Sequence, residues 1–411
     1  MKVEKDDLND LFKQEFSRMV AVVSHSFGLE HLGLAEDIVS DTFLKAAETW
    51  NVRGIPANPR AWLYAVARQK MLYHLRRNKL FKAKVLPAVA GLQESYTGIQ
   101  EPDFSAKNIE DSLLAMIFAI CTPAVASEAQ VGLALRILCG FSIDEIAEAF
   151  FTSKDTINKR LYRAREKLRV ERVTMALPSE KELPGRLNNV LHVVYLLFSE
   201  GYYSRTQKEI LRRDLCHEGL RLGLLLTRNE KANLPKTNAL VALMCFHASR
   251  FDARQAIDDY FIPYSEQNEE LWDMDLLNQG VNFLNLAMQG DEMSSYHIEA
   301  QIAYWHCQKT DTKEKWGTIL RLYDQLQRIN FSPSVALNRI YALYKVSGWK
   351  TALAEAEGLR MENSHFYFIL LGELYKSTDR EKAMESFNRA YRLAKNETEK
   401  KGIERKIENM I

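Results

Sequence analysis

The chain of 411 residues lacks features that define several large classes of protein. Its five cysteines are scattered without a C-x-x-C pair, which disfavours both a zinc site and a disulfide framework. No apolar run approaches the ~18 residues that a membrane span requires, and the first residues have no apolar core of a signal peptide. These absences predict a cytoplasmic protein without membrane contact, whose cysteines act as small buried apolar side chains.

Sequence motifs for catalysis are also missing. The chain has no G-x-x-x-x-G-K-[ST] phosphate loop and no H-E-x-x-H zinc motif, and its nine histidines show no ligand spacing. A catalytic role for the long helical region would need a nucleophile, a metal cluster or a phosphate loop. We therefore expect no enzymatic activity and no cofactor or metal ion.

Charge is balanced overall but unevenly placed along the chain. The net charge is +1, yet residues 1–50 hold twice as many acidic as basic side chains. Between residues 53 and 84 every charged side chain is basic. An acidic segment therefore precedes a basic one, and local patches are more informative than the total.

Helical periodicity runs through almost every segment, and no alternating strand pattern is long enough to indicate a sheet. The sequence therefore predicts an all-α fold. Two stretches rich in proline and glycine interrupt the periodicity, around residues 87–102 and 178–185. They divide the chain into a first helical domain (1–80), a linker (81–108), a second helical domain (109–178) and a larger helical region (179–411).

Residues 142–169 have the most informative pattern, that of two capped amphipathic helices joined by a short turn. Ser142 and Glu145 have the spacing of a capping box, and apolar residues follow at helical steps: Ile143, Ile146, Ala147 and Phe150. Residues 151–153 break this pattern. Ser153 can cap a second helix, whose apolar stripe is Ile157, Leu161, Ala164 and Leu168. The spacing predicts a helix-turn-helix.

The second of these helices carries polar and basic residues outside its apolar stripe. Such a face suits the major groove of DNA, which admits a helix and offers base-edge acceptors to arginine and lysine. The alternative is a solvated helix in an all-helical domain, because a run of charges often marks only exposure. The candidate DNA-contacting residues are Lys154, Thr156, Asn158, Lys159, Arg160, Arg163 and Arg165.

Residues 35–50 form a further amphipathic pattern, with an apolar stripe of Ala35, Val39, Phe43, Ala46 and Trp50. The stripe leaves a mainly acidic face that we expect to be exposed and to dock on a basic partner. Its candidate residues are Glu36, Asp37, Asp41, Lys45 and Glu48.

After Pro56 and Pro59, aromatic side chains are interleaved with basic ones as far as residue 79. Cations neutralise phosphates and aromatic rings can support an unstacked base, so this combination predicts a platform for opened DNA. Trp62 fits two interpretations equally, a base contact or a core residue, because its apolar neighbours must also be buried. The candidate residues are Asn58, Arg60, Trp62, Arg68, Arg76 and Arg77.

Together these segments resemble bacterial sigma factors of the extracytoplasmic-function group. The resemblance to region 2 rests on residues 35–46 (AEDIVSDTFLKA) and 59–68 (PRAWLYAVAR), and the resemblance to region 4 on residues 129–169. Residues 117–124 (IFAICTPA) and 195–202 (YLLFSEGY) resemble the subgroup with a long tetratricopeptide-like carboxy-terminal extension. Thr122 stands where that subgroup tends to have histidine.

The resemblance implies a protein that directs core RNA polymerase to promoter DNA, with a fused helical regulator. Glu36, Asp37, Asp41 and Lys45 would bind the largest polymerase subunit. The loop at residues 51–60, with Trp62 and the basic side chains after it, would capture a base flipped from the −10 element. The second helix of the helix-turn-helix would read the −35 element, so two weak sites on one chain would form a bivalent reader.

The carboxy-terminal region has one convincing helix pair with tetratricopeptide spacing: Leu371, Gly372, Tyr375, Ala383, Phe387 and Ala390. Residues 337–356 fit a degraded copy. Stacked pairs leave a concave surface, so we expect a protein or peptide partner; a purely structural stabiliser is the alternative. Five charged residues in apolar surroundings predict a buried polar network or, alternatively, a ligand pocket: Glu200, Asp214, Glu218, Arg221 and Arg250.

A polymerase-independent regulator with the same helix-turn-helix is the alternative for the whole chain. The acidic segment at residues 35–46 separates the two hypotheses, because a simple repressor has no use for a polymerase-docking surface ahead of a basic aromatic segment.

Overall fold

The computed structural model describes residues 5–84, 103–150, 152–202, 212–254, 262 and 264–410. These ranges are predominantly helical and contain no β-strand, which confirms the all-α prediction. The chain divides into two compact units, Met1–Val193 and Val194–Ile411. Most of the predicted linker at 81–108 lies outside the described residues, and helices occupy its two ends.

The described residues of the first unit contain seven α-helices and the start of an eighth. They are α1 (Lys5–Phe27), α2 (Leu32–Arg53), α3 (Pro59–Lys84), α4 (Ala106–Ile120), α5 (Ser127–Leu133), α6 (Ile143–Ala149), α7 (Lys154–Val170) and α8 (Leu183–Tyr202). A π-helical turn, Ala134–Leu138, continues α5.

Helix α4 lies at the centre of the first unit, because it is apolar on nearly all sides and is buried from Ser112 to its end. Helix α1 packs against both α4 and α2, and the side chains of His25 and Ser112 are 3.0 Å apart across this contact. The stripe predicted on α2 (Ala35, Val39, Phe43, Ala46, Trp50) is buried as expected.

In its described residues the second unit continues as a series of α-helices. They are α9 (Arg213–Thr227), α10 (Pro235–Ala248), α11 (Phe251–Arg254), α12 (Met274–Ala287), α13 (Ser295–His306), α14 (Lys313–Ile329), α15 (Pro333–Ser347), α16 (Trp349–Leu359), α17 (His365–Tyr375), α18 (Arg380–Leu393) and α19 (Glu397–Glu408). Two 3-10 helices, Tyr264–Glu266 and Glu269–Leu271, lie between α11 and α12. Consecutive helices from α12 to α19 pack on one another, and the almost wholly buried α10 contacts α9, α12 and α13.

All five cysteines are buried free thiols, which confirms the expectation for them. None of the helices in the described ranges is both long and apolar enough to cross a membrane. The same ranges contain no cluster of histidine, cysteine and acidic side chains that could hold a metal ion.

A close contact between Gly372 and Phe387 joins α17 to α18. A Cβ atom on Gly372 would lie 2.5 Å from a ring carbon of Phe387, well inside contact distance. Both residues are buried, as are Leu371, Ala383 and Ala390. The small-and-large spacing noted in the sequence therefore reflects the packing of this helix pair.

We expect Gly372→Ala to lower the free energy of unfolding by about 1–3 kcal/mol, because Phe387 must move away from the new methyl group. Gly317→Ala is the matched control: Gly317 also lies within a helix, α14, and nothing lies within 4 Å of its added Cβ. That control is expected to gain about 0.5–1 kcal/mol from helix propensity. Urea unfolding followed by circular dichroism measures both, and changes of the same sign would contradict the packing argument.

Glu299 on α13 is a carboxylic acid in an unfavourable environment for charge. Burial raises its pKa to about 7, although a hydrogen bond from the Tyr195 hydroxyl, at 3.1 Å, acts in the opposite direction. The pKa in the folded state therefore exceeds the ordinary glutamate value, so folding stability is lost as the pH rises from about 4 to 7.

Glu299→Gln is expected to raise the free energy of unfolding at pH 8 by about 1–2 kcal/mol, after allowing for screening of a partly exposed group. At pH 4 the wild-type carboxyl group is already protonated, so the substitution should change little. Urea unfolding at the two pH values measures the difference. An equal effect at both would show that the glutamate charge is not responsible.

Candidate nucleic-acid interface

Two capped helices, α6 and α7, occupy the positions predicted for the helix-turn-helix. The amide of Glu145 donates to Ser142 Oγ at 3.2 Å and the amide of Ser142 donates to Glu145 Oε2 at 2.7 Å, which confirms the capping box. Ser153 caps α7 by accepting from the amide of Thr156 at 3.2 Å. Phe151, in the connection between them, lies outside the described residues.

The apolar stripes hold these two helices in the first unit. Helix α7 buries all four predicted residues (Ile157, Leu161, Ala164, Leu168), and α6 buries Ile146 and Ala147. Ile143 and Phe150 are only half-buried, so their predicted burial is incomplete. They flank the short α6, Ile143 as its first residue and Phe150 directly after its last.

Most of the residues predicted to read DNA from α7 are exposed. Lys154, Thr156, Asn158, Lys159 and Arg163 all have exposed side chains, and Lys154 Nζ is 2.5 Å from Asp144 Oδ1. Lys159 and Arg163 are four residues apart, so they lie on one face of the helix. In the described part of the chain neither forms an ion pair, which leaves two cations available on that face.

The other two predicted residues of α7 are bound within the first unit. Arg160 Nη2 is 3.6 Å from Glu128 Oε2, and its guanidinium lies 5.7 Å from the ring centre of Phe150. Arg165 Nη2 is 2.7 Å from Glu36 Oε2. Both side chains are half-buried, so they do not extend the exposed basic face of α7 in this arrangement.

Glu36 is buried at 6% exposure, so the prediction that it belongs to an exposed acidic face is wrong. Its Oε2 atom contacts Arg165, and its Oε1 atom accepts from Arg136 Nε at 3.1 Å. Arg136 also donates to the carbonyl oxygen of Phe141 at 3.0 Å. A buried carboxylate is stable when guanidinium groups pair with it. Helical spacing around Glu36 gives no sign of these partners, because they come from distant positions.

The rest of the acidic segment is exposed as predicted. Asp37, Asp41, Lys45 and Glu48 all have exposed side chains. Asp41 Oδ2 is 3.3 Å from Lys70 Nζ, a contact that links α2 to α3. An exposed, mainly acidic face therefore remains on α2 without Glu36.

The basic aromatic segment begins at a structured helix start. Asn58 Oδ1 accepts from the amide of Ala61 at 3.0 Å, and Arg60 Nε is 2.9 Å from Glu15 Oε1. Trp62 is half-buried, and its ring packs edge-on against Trp50 with the centres 5.3 Å apart. Trp62 therefore combines core packing with partial exposure. Arg68, Arg76 and Arg77 are exposed further along α3.

Glu15 is a residue that the sequence reasoning missed. It is fully buried on α1, where its carboxylate contacts Arg60 and accepts a hydrogen bond from the Tyr64 hydroxyl. Burial and this carboxylate raise the pKa of Tyr64. An acidic residue among the apolar residues of α1 was the one sign in the sequence that could have indicated a buried, paired Glu15. Glu15 positions the start of α3, and with it the loop that precedes Trp62.

Comparison with known proteins assigns these elements to a family. Models of Sigma-70 region 2 and Sigma-70, region 4 match residues 12–81 and 132–168. The uncharacterized protein R00370 of Rhizobium meliloti (strain 1021) is 30% identical over 387 residues, which cover 92% of this chain and 90% of that protein. The RNA polymerase sigma factor YlaC of Bacillus subtilis (strain 168) is 26% identical over 166 residues, 40% of this chain and 91% of its own length. The chain belongs to the sigma-70 family.

In this sigma-70 family member, region 2 covers most of α1 to α3 and region 4 ends in α7. Residues 186–288 match a family of unknown function, DUF6596. No solved structure matches the chain. Sigma-70 family members are non-enzymatic transcription initiation factors, and the two matched regions imply interaction with core RNA polymerase and promoter DNA.

Proposed function

We propose that this sigma factor belongs to the extracytoplasmic-function group, within the subgroup that has a tetratricopeptide-like carboxy-terminal extension, and that it acts in the cytoplasm. The observation that carries the proposal is a capped helix-turn-helix with Lys159 and Arg163 exposed on one face of α7. An exposed acidic face on α2 accompanies it in the same unit, as a polymerase-dependent reader requires.

The proposed polymerase contact is the exposed face of Asp37, Asp41 and Lys45, which would dock on a basic helical hairpin of the largest subunit. Glu36 can join this face only if Arg136 and Arg165 release it.

The proposed −10 contact begins at Asn58 and Arg60 and continues through Trp62 to Arg68, Arg76 and Arg77. The partly exposed ring of Trp62 can stack with a flipped base, while the arginines neutralise phosphates.

For the −35 element, we propose that Lys154, Thr156, Asn158, Lys159 and Arg163 enter the major groove. Arg160 and Arg165 would contact DNA only after release from Glu128 and Glu36. Each good bidentate contact from lysine or arginine to a base contributes about 1–3 kcal/mol of discrimination.

Simultaneous reading of both elements requires regions 2 and 4 to separate. The −10 and −35 elements lie about 25 base pairs apart, or about 85 Å along B-form DNA. In the structure, by contrast, Arg165 Nη2 of α7 is 2.7 Å from Glu36 Oε2 of α2. We propose that the observed arrangement is the resting form of the free protein, and that polymerase binding opens it.

Transcription reconstituted from the full chain, core RNA polymerase and genomic promoter fragments tests this function. We expect promoter-specific transcripts that require the chain. The alternative, a polymerase-independent regulator, predicts specific DNA binding by the chain alone and no new transcripts with core polymerase.

We further propose that the second unit regulates the sigma regions and binds a protein or peptide partner. Support comes from the consecutive packed helix pairs of α14 to α18, which have the stacking expected of a concave surface. A chain that ends at Tyr202, and so keeps α8, tests this regulation. Unchanged transcription and unchanged control in cells, with helix content retained, would leave only the structural-stabiliser alternative.

A further inference from the structure

Arg250 is a buried cation that pairs with no acidic side chain among the described residues. It directly precedes α11 in the second unit and is only 6% exposed. Its buried Nε atom has no hydrogen-bond partner among the residues that the structure describes. Within the described ranges its guanidinium contacts the ring of Tyr264, at 5.9 Å from the ring centre, and no carboxylate. Arginine is rarely buried unless it is paired, because its charge is costly to remove from water.

Lys315 brings a second buried cation to the same ring. It is 3% exposed, and its Nζ atom lies 4.8 Å from the ring centre of Tyr264. Two of its three N–H donors are used, towards the Tyr264 hydroxyl at 2.7 Å and the carbonyl oxygen of Gln308. Burial lowers the pKa of Lys315, Asp311 opposes that shift, and Arg250 adds to it.

Among the described residues, Asp311 and Glu269 are acids near the Tyr264 ring. Glu269 Oε1 is 3.0 Å from Lys309 Nζ, and both oxygens of Asp311 are already bound. One accepts from Trp316 Nε1 and the other from Lys345 Nζ at 2.8 Å. Asp311 therefore balances Lys345, and the charges of Arg250 and Lys315 remain uncompensated among the described side chains.

His306 completes the cluster with a neutral ring. Its centre is 5.1 Å from that of Tyr264, and its buried Nδ1 atom has no hydrogen-bond partner in the described part of the chain. Burial, Arg250 and Lys315 lower the pKa of His306 to about 3, so it carries no charge near neutral pH. Tyr264, His306 and Gln308 are half-buried, so the cluster reaches the surface of the unit.

We propose that Arg250, Lys315, Tyr264 and His306 form a binding site for a small oxyanion with about two negative charges, of which inorganic phosphate is the simplest example. Two cations that no described carboxylate compensates match that charge. The N–H groups of arginine and lysine match the several acceptor oxygens of the anion. The phosphate group can be free or part of a small metabolite. The sequence left two alternatives for Arg250, a buried polar network and a ligand pocket, and this proposal corresponds to the ligand pocket.

Calorimetric titration of the full chain with inorganic phosphate, in chloride buffer at constant ionic strength, tests the site. We expect one site per chain with a dissociation constant below about 1 mM. Arg250→Met and Lys315→Met should each weaken binding by about 10- to 100-fold. Arg250→Lys should retain part of the affinity. Arg321→Met, which removes an exposed cation of α14 outside the cluster, should leave binding unchanged.

Thermal unfolding provides a second readout that does not depend on activity. Because Arg250→Met removes a buried unpaired charge, its Tm without phosphate should equal or exceed that of the wild type. Phosphate should raise the Tm of the wild type and of Arg321→Met, and should leave the Tm of Arg250→Met unchanged. A parallel titration with succinate tests a carboxylate ligand. If succinate binds in place of phosphate, and Arg250→Met weakens that binding, the site is an oxyanion site whose ligand is a carboxylate.

Three results would overturn the proposal. The first is no saturable binding of either anion, and the second is phosphate binding that survives both Arg250→Met and Lys315→Met. The third is a lower Tm of Arg250→Met in phosphate-free buffer, which would show that the guanidinium stabilises the fold without an anion.

Discussion

Replacing both Lys159 and Arg163 with alanine is expected to reduce promoter-specific transcription about 100-fold, because each base contact contributes about 1–3 kcal/mol. Both side chains are exposed on one face of α7, and the buried stripe that holds α7 in place is untouched. The loss should therefore appear as weaker recognition of the −35 element, with unchanged folding and unchanged affinity for core polymerase.

Arg169→Ala is the matched control for this double substitution. Arg169 is also an exposed cation of α7, but it lies near the carboxyl end of the helix and pairs with Glu166 at 2.8 Å. Quantitative transcription at a fixed polymerase concentration compares the variants. If Arg169→Ala reduced transcription as strongly as the double substitution, overall charge would explain the effect and the specific face of α7 would not.

Glu36→Gln is expected to increase the population of the separated form of regions 2 and 4 by about 10- to 100-fold, because two charge-assisted contacts are weakened. Those contacts join Glu36 on α2 to Arg136 and Arg165. The apolar packing of α1 on α4 remains, so the result is a shift of population within a folded unit. We expect more transcription when polymerase is limiting, because less of the free energy of polymerase binding is needed to separate regions 2 and 4.

Energy transfer between dyes at Val52→Cys and Val170→Cys measures this opening, because both positions are exposed and the native cysteines are buried. Asp37→Asn is the control at the adjacent, exposed position. It should leave energy transfer in the free chain unchanged and reduce transcription, because it weakens the proposed polymerase contact. Lower transcription from both variants, with unchanged energy transfer, would show that Glu36 acts through polymerase contact and does not hold the regions together.

Local patterns in the sequence predicted local structure well. The serine caps of α6 and α7 and the stripes on α2 and α7 depend on residues three or four positions apart, and these appear where the spacing placed them. The same reasoning found the exposed acidic residues beside Glu36. Spacing within one helix decides these features, so a single sequence contains the information.

Contacts between distant segments could not be predicted in this way. The burial of Glu36 depends on the packing of α2 against α7 and the π-helical turn. Helical periodicity carries no information about contacts between separate helices. Arg250 shows the same limit. The sequence grouped it with Glu200, Asp214, Glu218 and Arg221, and Glu218 does pair with Arg221. Asp214 instead binds Arg212, and Arg250 contacts Tyr264. The tertiary packing determines which charged side chains pair, and a single sequence does not distinguish between the possible partners.

The distance between regions 2 and 4 in a working complex shows whether the first unit opens when it reads a promoter. Dyes at Val52→Cys and Val170→Cys should give strong energy transfer in the free chain. Adding core RNA polymerase and promoter DNA should abolish that transfer, because the two elements lie about 85 Å apart. Strong transfer that persisted in a complex producing promoter-specific transcripts would contradict the claim that promoter reading requires the first unit to open.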